Sequence, residues 1–185
     1  LYIQTLYTGE VFSSLVPSLW KGLGNVILIV LGTQKFQCNR LLILIDNLIQ
    51  ENKLKEEVFA QIGNSDYIPR NYNYKRFLNK DEFEKKILEC DMIITHGGVG
   101  TIISAITKRK PTIIFPRLKK YNEHVDDHQL EIAEAFSRRN YAKVCKENTD
   151  LKKLIDECRV CKFSNYESKR EDIINEILRF ISLDS

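Results

Sequence analysis

Long hydrophobic runs are missing from this chain of 185 residues. Its aliphatic run Val26–Leu31 is far shorter than the roughly 20 apolar residues that a membrane-spanning helix requires. Near the start there is no long apolar run followed by a small-residue cleavage site, so we expect no secretory signal peptide. These absences argue against a membrane-spanning or secreted protein, and we expect a cytoplasmic one.

Cysteine is also scarce: the chain has five, an odd number without paired spacings. That pattern is typical of a reducing compartment and argues against a disulfide framework. The single C-x-x-C motif, Cys158 to Cys161, has no second pair beside it, and the three histidines lie far upstream. A structural zinc site needs four ligands, so we expect no metal and no metal cofactor.

Neither sign of charge dominates the sequence. The 28 Lys and Arg residues stand against 25 Asp and Glu, which leaves a net charge of +3, and the two signs alternate along the chain. We therefore predict a solvated charged surface without the basic stripe that binds nucleic acid. Hydrophobic residues make up 43 % of the chain, which is enough for the core of one domain.

Strand and helix patterns alternate from residue 25 onward. The aliphatic run Val26–Leu31 is typical of a strand that is buried on both faces, as in a parallel sheet. The patterns predict strands at 26–31, 58–62, 74–78, 92–95, 112–115 and 141–145, and helices at 41–52, 81–89, 102–108, 130–136, 151–158 and 171–181. We predict an α/β fold with a Rossmann-like open parallel sheet and helices on both faces, formed by residues 25–185. Residues 1–24 show no clean period and are an unplaced N-terminal extension.

Three of the chain's eight glycines, Gly97, Gly98 and Gly100, stand within four positions. They lie between a predicted strand and a predicted helix, where ligands bind in such sheets. Glycine lets a ligand approach the backbone, and the first turn of a helix offers unpaired N–H groups with a partial positive charge. The pattern favours an anion site, with Thr101 as helix cap or as a further hydroxyl group. The alternative is a tight turn without a ligand, because a short glycine motif is a weak signal.

The glycine loop matches neither of the two common phosphate motifs. A P-loop requires Gly-Lys-Ser/Thr, and no lysine follows Gly100. A dinucleotide fingerprint requires an acidic residue at the end of the next strand, where this chain has Phe115, Pro116 and Arg117. The sequence therefore favours a sugar nucleotide or another phosphate ester over NAD.

A second polar cluster, residues 123–129, follows the next strand and opens the next helix. We expect it to lie beside the glycine loop at the same edge of the sheet. His124 and His128 with the neighbouring carboxylates could bind a metal, but no third ligand is evident. Hydrogen bonds to the hydroxyls, phosphates or base of a ligand are favoured, and helix caps with surface charge are the remaining alternative.

Three ordered motifs span residues 91 to 130. They are Asp91-Met-Ile-Ile-Thr-His-Gly-Gly-Val-Gly-Thr101, Lys110-Pro-Thr-Ile-Ile-Phe-Pro-Arg117 and Glu123-His-Val-Asp-Asp-His-Gln-Leu130, and Val30-Leu-Gly-Thr-Gln34 accompanies them. With these motifs the chain resembles the C-terminal half of GT-B glycosyltransferases of family 28. It looks most like the small PssE-like subunits of bacterial exopolysaccharide and capsule synthesis. It is also similar to the cytosolic subunit of the two-part UDP-GlcNAc transferase of the dolichol pathway.

The resemblance implies a site for a UDP-sugar, which is a substrate and not a cofactor. The glycine loop and Thr101 would hold the diphosphate, residues 115–117 would line the nucleoside pocket, and the polar pair 128–129 would contact sugar or phosphate. The donor-site residues implied are Gly32, Thr33, His96, Gly97, Gly98, Gly100, Thr101, Ser104, Phe115, Pro116, Arg117, Asp127, His128 and Gln129. One departure concerns Ser104, because relatives that use UDP-GlcNAc usually carry at this position a glutamate that grips the ribose.

The resemblance also implies a partner. A GT-B enzyme has two Rossmann-like halves with the active site between them, and this chain has room for one. We expect the donor-binding subunit of a two-subunit hexosyltransferase, working with a membrane-anchored acceptor-binding subunit on a lipid-diphosphate-linked saccharide at the inner membrane face. We expect the general base in the partner subunit, and Glu123 and His124 are the candidates within this chain.

Two other functions stay open at this point. The chain could be a non-catalytic activator of its partner, for which Ser104 is the best support, or half of a sugar-nucleotide epimerase. The apolar stripe of the predicted helix 171–181 either docks the partner or packs on its own sheet.

Overall fold

A computed structural model describes residues 25–167. The extension 1–24 and the helix predicted at 171–181 lie outside the described residues, so their roles stay predictions. The strands are β1 (Val26–Val30), β2 (Glu57–Gln61), β3 (Asn73–Lys75), β4 (Met92–Thr95), β5 (Thr112–Ile114) and β6 (Lys143–Val144). The helices are α1 (Asn39–Gln50), α2 (Lys80–Glu89), α3 (Val99–Thr107), α4 (His128–Arg138) and α5 (Leu151–Val160), with a short 3-10 helix at Lys119–Tyr121.

The strands form one parallel sheet in the order β3-β2-β1-β4-β5-β6. This confirms the predicted open parallel sheet. In this order β2 lies next to β1 on one side, and β4 lies next to β1 on the other side. The carboxyl ends of β1 and β4 therefore flank a topological switch point, where ligands bind in sheets of this kind. The β1–α1 loop and the glycine loop border that crevice.

Helices cover both faces of the sheet, and successive side chains of β1 pack against helices on opposite faces. Ile27 and Ile29 pack with α1 and α5 on one face, while Leu28 and Val30 pack with α2 and α3 on the other. A third cluster joins Ile114 of β5 to α3 and α4. A strand covered on both faces must be apolar at every position, which is why β1 is a continuous aliphatic run.

Local sequence explains where several helices begin. Asn79 caps α2 and forms a capping box with Glu82, and the side chain of Asp150 accepts a hydrogen bond from the Lys153 amide to cap α5. Helix α3 begins at Val99, three residues before the start predicted from its apolar stripe. Its first turn lies outside the stripe, so hydrophobic spacing could not mark it. Among residues 25–167, no helix is long and apolar enough to cross a membrane.

Candidate functional site at the glycine loop

Helix α3 begins with backbone donors that the described residues leave unused. Gly98 is its N-cap residue and provides no side-chain cap. The amides of Val99, Gly100 and Thr101 have no hydrogen-bond acceptor among residues 25–167. Thr101 lies inside this first turn, so the predicted alternative that it caps the helix is wrong, and its hydroxyl as an anion contact stays a prediction. An uncapped helix start of this kind attracts an anion through its N–H groups and its dipole.

The three glycines of the loop have different reasons to be glycine. A Cβ built on Gly97 would lie 2.5 Å from Cβ of Gln129, and one built on Gly98 would lie 2.3 Å from Cε1 of His96. Packing therefore requires glycine at both positions. A Cβ built on Gly100 would meet nothing within 4 Å. Space in front of Gly100 is open, and no contact within the described chain accounts for the missing side chain.

His96 joins the two loops that border the crevice. Its imidazole lies between Gly98 and Gly32, where a Cβ built on Gly32 would lie 2.5 Å from Nε2. The side chain is buried, and its Nδ1 has no hydrogen-bond partner among the described residues. Burial, with help from the nearby Arg117 cation, lowers the pKa of His96 to about 3. The ring is therefore neutral at physiological pH and adds no charge to the helix start.

Arg117 and Gln129 are structural parts of the crevice. Arg117 is fully buried, and its guanidinium donates hydrogen bonds to the carbonyls of Leu31, Phe36 and Gln37. The side-chain oxygen of Gln129 accepts from the amides of Gly97 and Arg117, both at 3.2 Å. A ligand cannot reach a fully buried guanidinium. The expected role of Arg117 in lining a nucleoside pocket is therefore corrected to one of holding the β1–α1 loop.

Glu123 is held by an arginine that the sequence analysis did not identify. Its buried carboxylate accepts hydrogen bonds from Nε and Nη2 of Arg40, at 3.3 and 2.8 Å, and from the Leu118 amide. The Arg40 guanidinium stacks between the rings of Phe115 and Tyr121, 4.4 and 4.5 Å from their centroids. A carboxylate buried in such a pair is poorly placed to accept a substrate proton, which argues against Glu123 as the base.

His124 remains the accessible base candidate. Its Nδ1 lies 2.9 Å from Oδ1 of Asp126, and its ring packs on Phe36 with centroids 4.6 Å apart. Asp126 also accepts from the His128 amide at the start of α4. This hydrogen bond from the His128 amide, with a smaller contribution from the His124 imidazole, holds the pKa of the Asp126 carboxyl below its usual range. If Nδ1–H donates to Asp126, the Nε2 lone pair of His124 is left to accept a proton.

The other predicted site residues fall into two groups. Thr33, Asp127 and His128 are exposed and Ser104 is half-buried, so all four can meet a ligand. Pro116 and Phe115 are buried. Pro116 and Asp127 line a cleft of about 350 Å³ together with residues 145–147, and no residue of the glycine loop lines it. Charged side chains there pair with one another, as Lys146 does with Glu134. Among residues 25–167, no group of three or more His, Cys, Asp or Glu side chains could hold a metal ion.

The open parallel sheet, with a crevice at its switch point, defines an α/β domain of the Rossmann type. Residues 26–182 match the glycosyltransferase family 28 C-terminal domain, and the chain belongs to this family. The predicted family is thus confirmed, whereas the narrower likeness to PssE-like subunits stays a prediction.

Two curated relatives illustrate the similarity. The UDP-N-acetylglucosamine–N-acetylmuramyl-(pentapeptide) pyrophosphoryl-undecaprenol N-acetylglucosamine transferase of Prochlorococcus marinus is 30% identical over 150 residues. That match covers 71% of this chain but only 39% of the relative. The UDP-N-acetylglucosamine transferase subunit ALG13 of Candida albicans is 35% identical over 86 residues, which are 46% of this chain and 26% of the relative.

Solved structures show the same fold. The calicheamicin glycosyltransferase CalG4 aligns with a TM-score of 0.56 at 15% identity, over 77% of this chain and 35% of that one. A glycosyltransferase of kitacinnamycin aligns with a TM-score of 0.54 at 19% identity, over 76% and 36%. At such identities the likeness establishes the fold and not the substrate.

Proposed function

We propose that this chain is the donor-binding part of a family 28 glycosyltransferase and that it holds a UDP-sugar in the crevice between β1 and β4. One observation carries the proposal. The amides of Val99, Gly100 and Thr101 in the first turn of α3 have no acceptor within the described part of the chain, residues 25–167, and the space in front of Gly100 is open there. Backbone N–H groups at a helix start are a ready site for the negative charge of a diphosphate.

The proposed chemistry is hexosyl transfer with UDP as the leaving group. An acceptor hydroxyl oxygen bonds to the anomeric carbon while the bond from that carbon to the β-phosphate oxygen breaks. The leaving oxygen keeps the electron pair, so negative charge grows on UDP, and the hydroxyl proton passes to a base. The α3 amides are aimed at the charge that develops on UDP, which is electrostatic stabilisation of the transition state.

His124 is the proposed local candidate for that base. Its Nδ1 is turned toward Asp126, so its Nε2 is the nitrogen that could accept the proton. A base from the partner subunit is the alternative, because the acceptor would enter from the partner's side of the crevice.

A partner is proposed by analogy with a relative that is a subunit, and the chain itself spans 39% of the length of the Prochlorococcus relative. The Candida albicans relative is itself described as a transferase subunit. By analogy, a membrane-anchored acceptor-binding subunit would supply the missing half and hold this chain at the inner face of the membrane. The acceptor would be a lipid-diphosphate-linked saccharide, and the PssE-like resemblance suggests exopolysaccharide or capsule synthesis as the process.

A non-catalytic activator is the second candidate function, and Ser104 favours it. This residue is half-buried on α3, one turn after Gly100, at the position where the resemblance places a ribose-binding glutamate. A serine hydroxyl cannot accept two ribose hydroxyls as a carboxylate does. Donor affinity would then be low, and the chain would act by stabilising its partner.

Calorimetry with UDP separates the two functions. Saturable binding of UDP to the purified chain supports the donor-binding proposal. Absence of binding, with transferase activity in the partner that still requires the chain, supports the activator. Transfer of sugar by this chain alone would contradict the need for a partner.

A further inference from the structure

The β1–α1 loop, residues 31–38, has nearly all of its carbonyls held by side chains from the rest of the domain. The Arg117 guanidinium donates hydrogen bonds to the carbonyls of Leu31, Phe36 and Gln37. The side-chain amide of Gln61 donates to the carbonyl of Gly32. The side-chain amide of Asn64 donates to the carbonyls of Thr33 and Gln34. The two Asn64 distances are 3.4 Å to Thr33 and 2.9 Å to Gln34.

Peptide geometry turns this into a statement about the amides. In a planar trans peptide the N–H points away from the carbonyl that precedes it. Gln61 is the last residue of β2, and Asn64 lies in the loop after it, on one side of β1. The glycine loop follows β4, on the other side of β1. Carbonyls pulled toward β2 therefore leave the amides of Thr33, Gln34 and Lys35 facing the side of the glycine loop.

Those amides are also unused. No amide from Gly32 to Gln37 donates a hydrogen bond to an acceptor within the described residues. The loop nevertheless packs tightly against Gly63 on one side and His96 on the other. A Cβ built on Gly63 would lie 2.7 Å from the Gly32 carbonyl oxygen, and one built on Gly32 would meet the ring of His96. Two sets of free N–H groups, one on this loop and one at the start of α3, thus border one crevice.

We propose that Asn64 is a positioning residue for the diphosphate: its side-chain amide fixes the Thr33 and Gln34 peptides so that the Gln34 and Lys35 amides face the anion. This inference rests on the proposed function and deepens it. Asn64 acts through the loop and touches no ligand. Its side chain is exposed, so no core packing explains its place, and its only described bonds are the two to this loop.

Asn64→Ala tests the proposal, with Asn71→Ala as the matched control. Asn71 is also exposed, lies at the other end of the same β2–β3 connection, and donates its side-chain amide to a carbonyl, that of Asp46. We expect Asn64→Ala to weaken UDP binding about tenfold, because a loop amide that turns away from the diphosphate loses one hydrogen bond to a charged group. UMP binding should weaken less. Asn71→Ala should leave the ratio of UDP to UMP affinity unchanged.

Two results would overturn the proposal. One is UDP affinity within twofold of wild type in folded Asn64→Ala. The other is an equal change in the UDP to UMP ratio in Asn71→Ala, because a general loss of stability would then explain both. A merely structural role for Asn64 does not move that ratio.

Amide NMR keeps this test separate from the proposed function. If wild-type protein binds no UDP, the proposed function fails, and inorganic pyrophosphate then serves as the probe. Shifts of the Gln34 and Lys35 amide resonances on adding pyrophosphate to wild type, absent in Asn64→Ala, would support the positioning role. No shift of these two amides with either UDP or pyrophosphate would refute it.

Discussion

The imidazole of His96 lies against the backbone of Gly98 so closely that a Cβ at residue 98 would come within 2.3 Å of Cε1. Gly100, two residues on, has empty space where its side chain would be. Neighbouring glycines of one motif therefore serve different purposes. Gly98 permits the packing of the protein's own histidine, and Gly100 leaves room for something outside the described chain.

Alanine substitutions at the two positions should have opposite effects on stability. Gly98→Ala should lower the free energy of unfolding by about 1–3 kcal/mol, because the new methyl overpacks against the buried imidazole. Gly100→Ala should raise it by up to about 1 kcal/mol, because alanine favours the helix. Gly100→Ala should nevertheless weaken UDP binding, since the Cα–Cβ bond of a helical residue tilts toward the helix N-terminus, where the free amides lie. Chemical denaturation and calorimetry measure the two effects, and unchanged UDP affinity in Gly100→Ala would place the ligand elsewhere.

Much of the fold could be predicted because hydrophobic spacing is strong wherever an element is buried. Strand β1 is apolar at every position and was predicted to within one residue of its end. The glycine loop was placed at the end of β4 for the same reason. The start of α3 was missed because Val99, Gly100 and Thr101 do not belong to the buried stripe.

The interior of the site was harder to predict because it depends on contacts between distant segments. An arginine after a strand is expected at the surface. Arg117 is buried because carbonyls from the β1–α1 loop surround its guanidinium, and no local pattern announces that arrangement. Arg40 and Asn64 were missed for the same reason, although the Gly63-Asn64 pair after β2 was a signal for a turn at this edge.

Arg109 offers a test at the far end of α3. It has φ of 56°, and the hydrogen bonds from the Arg109 amide to Ile106 and from the Lys110 amide to Ala105 form a Schellman motif. Glycine adopts this conformation without strain, so Arg109→Gly should stabilise the protein by about 0.5–1 kcal/mol. Denaturation midpoints measure the change. Arg109→Ala, which keeps the strain, is the control and should not stabilise.

His96 should make stability depend on pH. Its pKa is lowered from the ordinary 6.5 to about 3 in the folded protein, chiefly by burial. The unfolded chain therefore binds this proton first, and stability is lost as pH falls from about 6.5 toward 3, by up to about 1.4 kcal/mol per unit. His96→Gln should flatten the dependence of unfolding free energy on pH in this window. An unchanged slope would show that folding does not lower the pKa of His96.

Glu123 and His124 are adjacent in sequence, yet substitutions at the two positions should differ in their effects on stability and on turnover. Glu123→Gln removes the charge that neutralises Arg40, and we expect a loss of about 2–4 kcal/mol, less than for a fully buried pair because Arg40 reaches solvent. His124→Gln breaks the pair with the exposed Asp126 and removes the packing of the imidazole on Phe36, so stability should fall by less than in Glu123→Gln.

Turnover in the complex with the proposed partner subunit distinguishes the two roles. If His124 is the base, His124→Gln should lower kcat about 100-fold or more and remove the limb of the pH profile that belongs to the base. Asp126→Asn, which weakens the orientation of the imidazole, should lower kcat by a smaller factor. Glu123→Gln should reduce activity only in proportion to the protein that unfolds. Normal kcat in His124→Gln would assign the base to the partner, because the buried pair with Arg40 leaves Glu123 poorly placed to replace it.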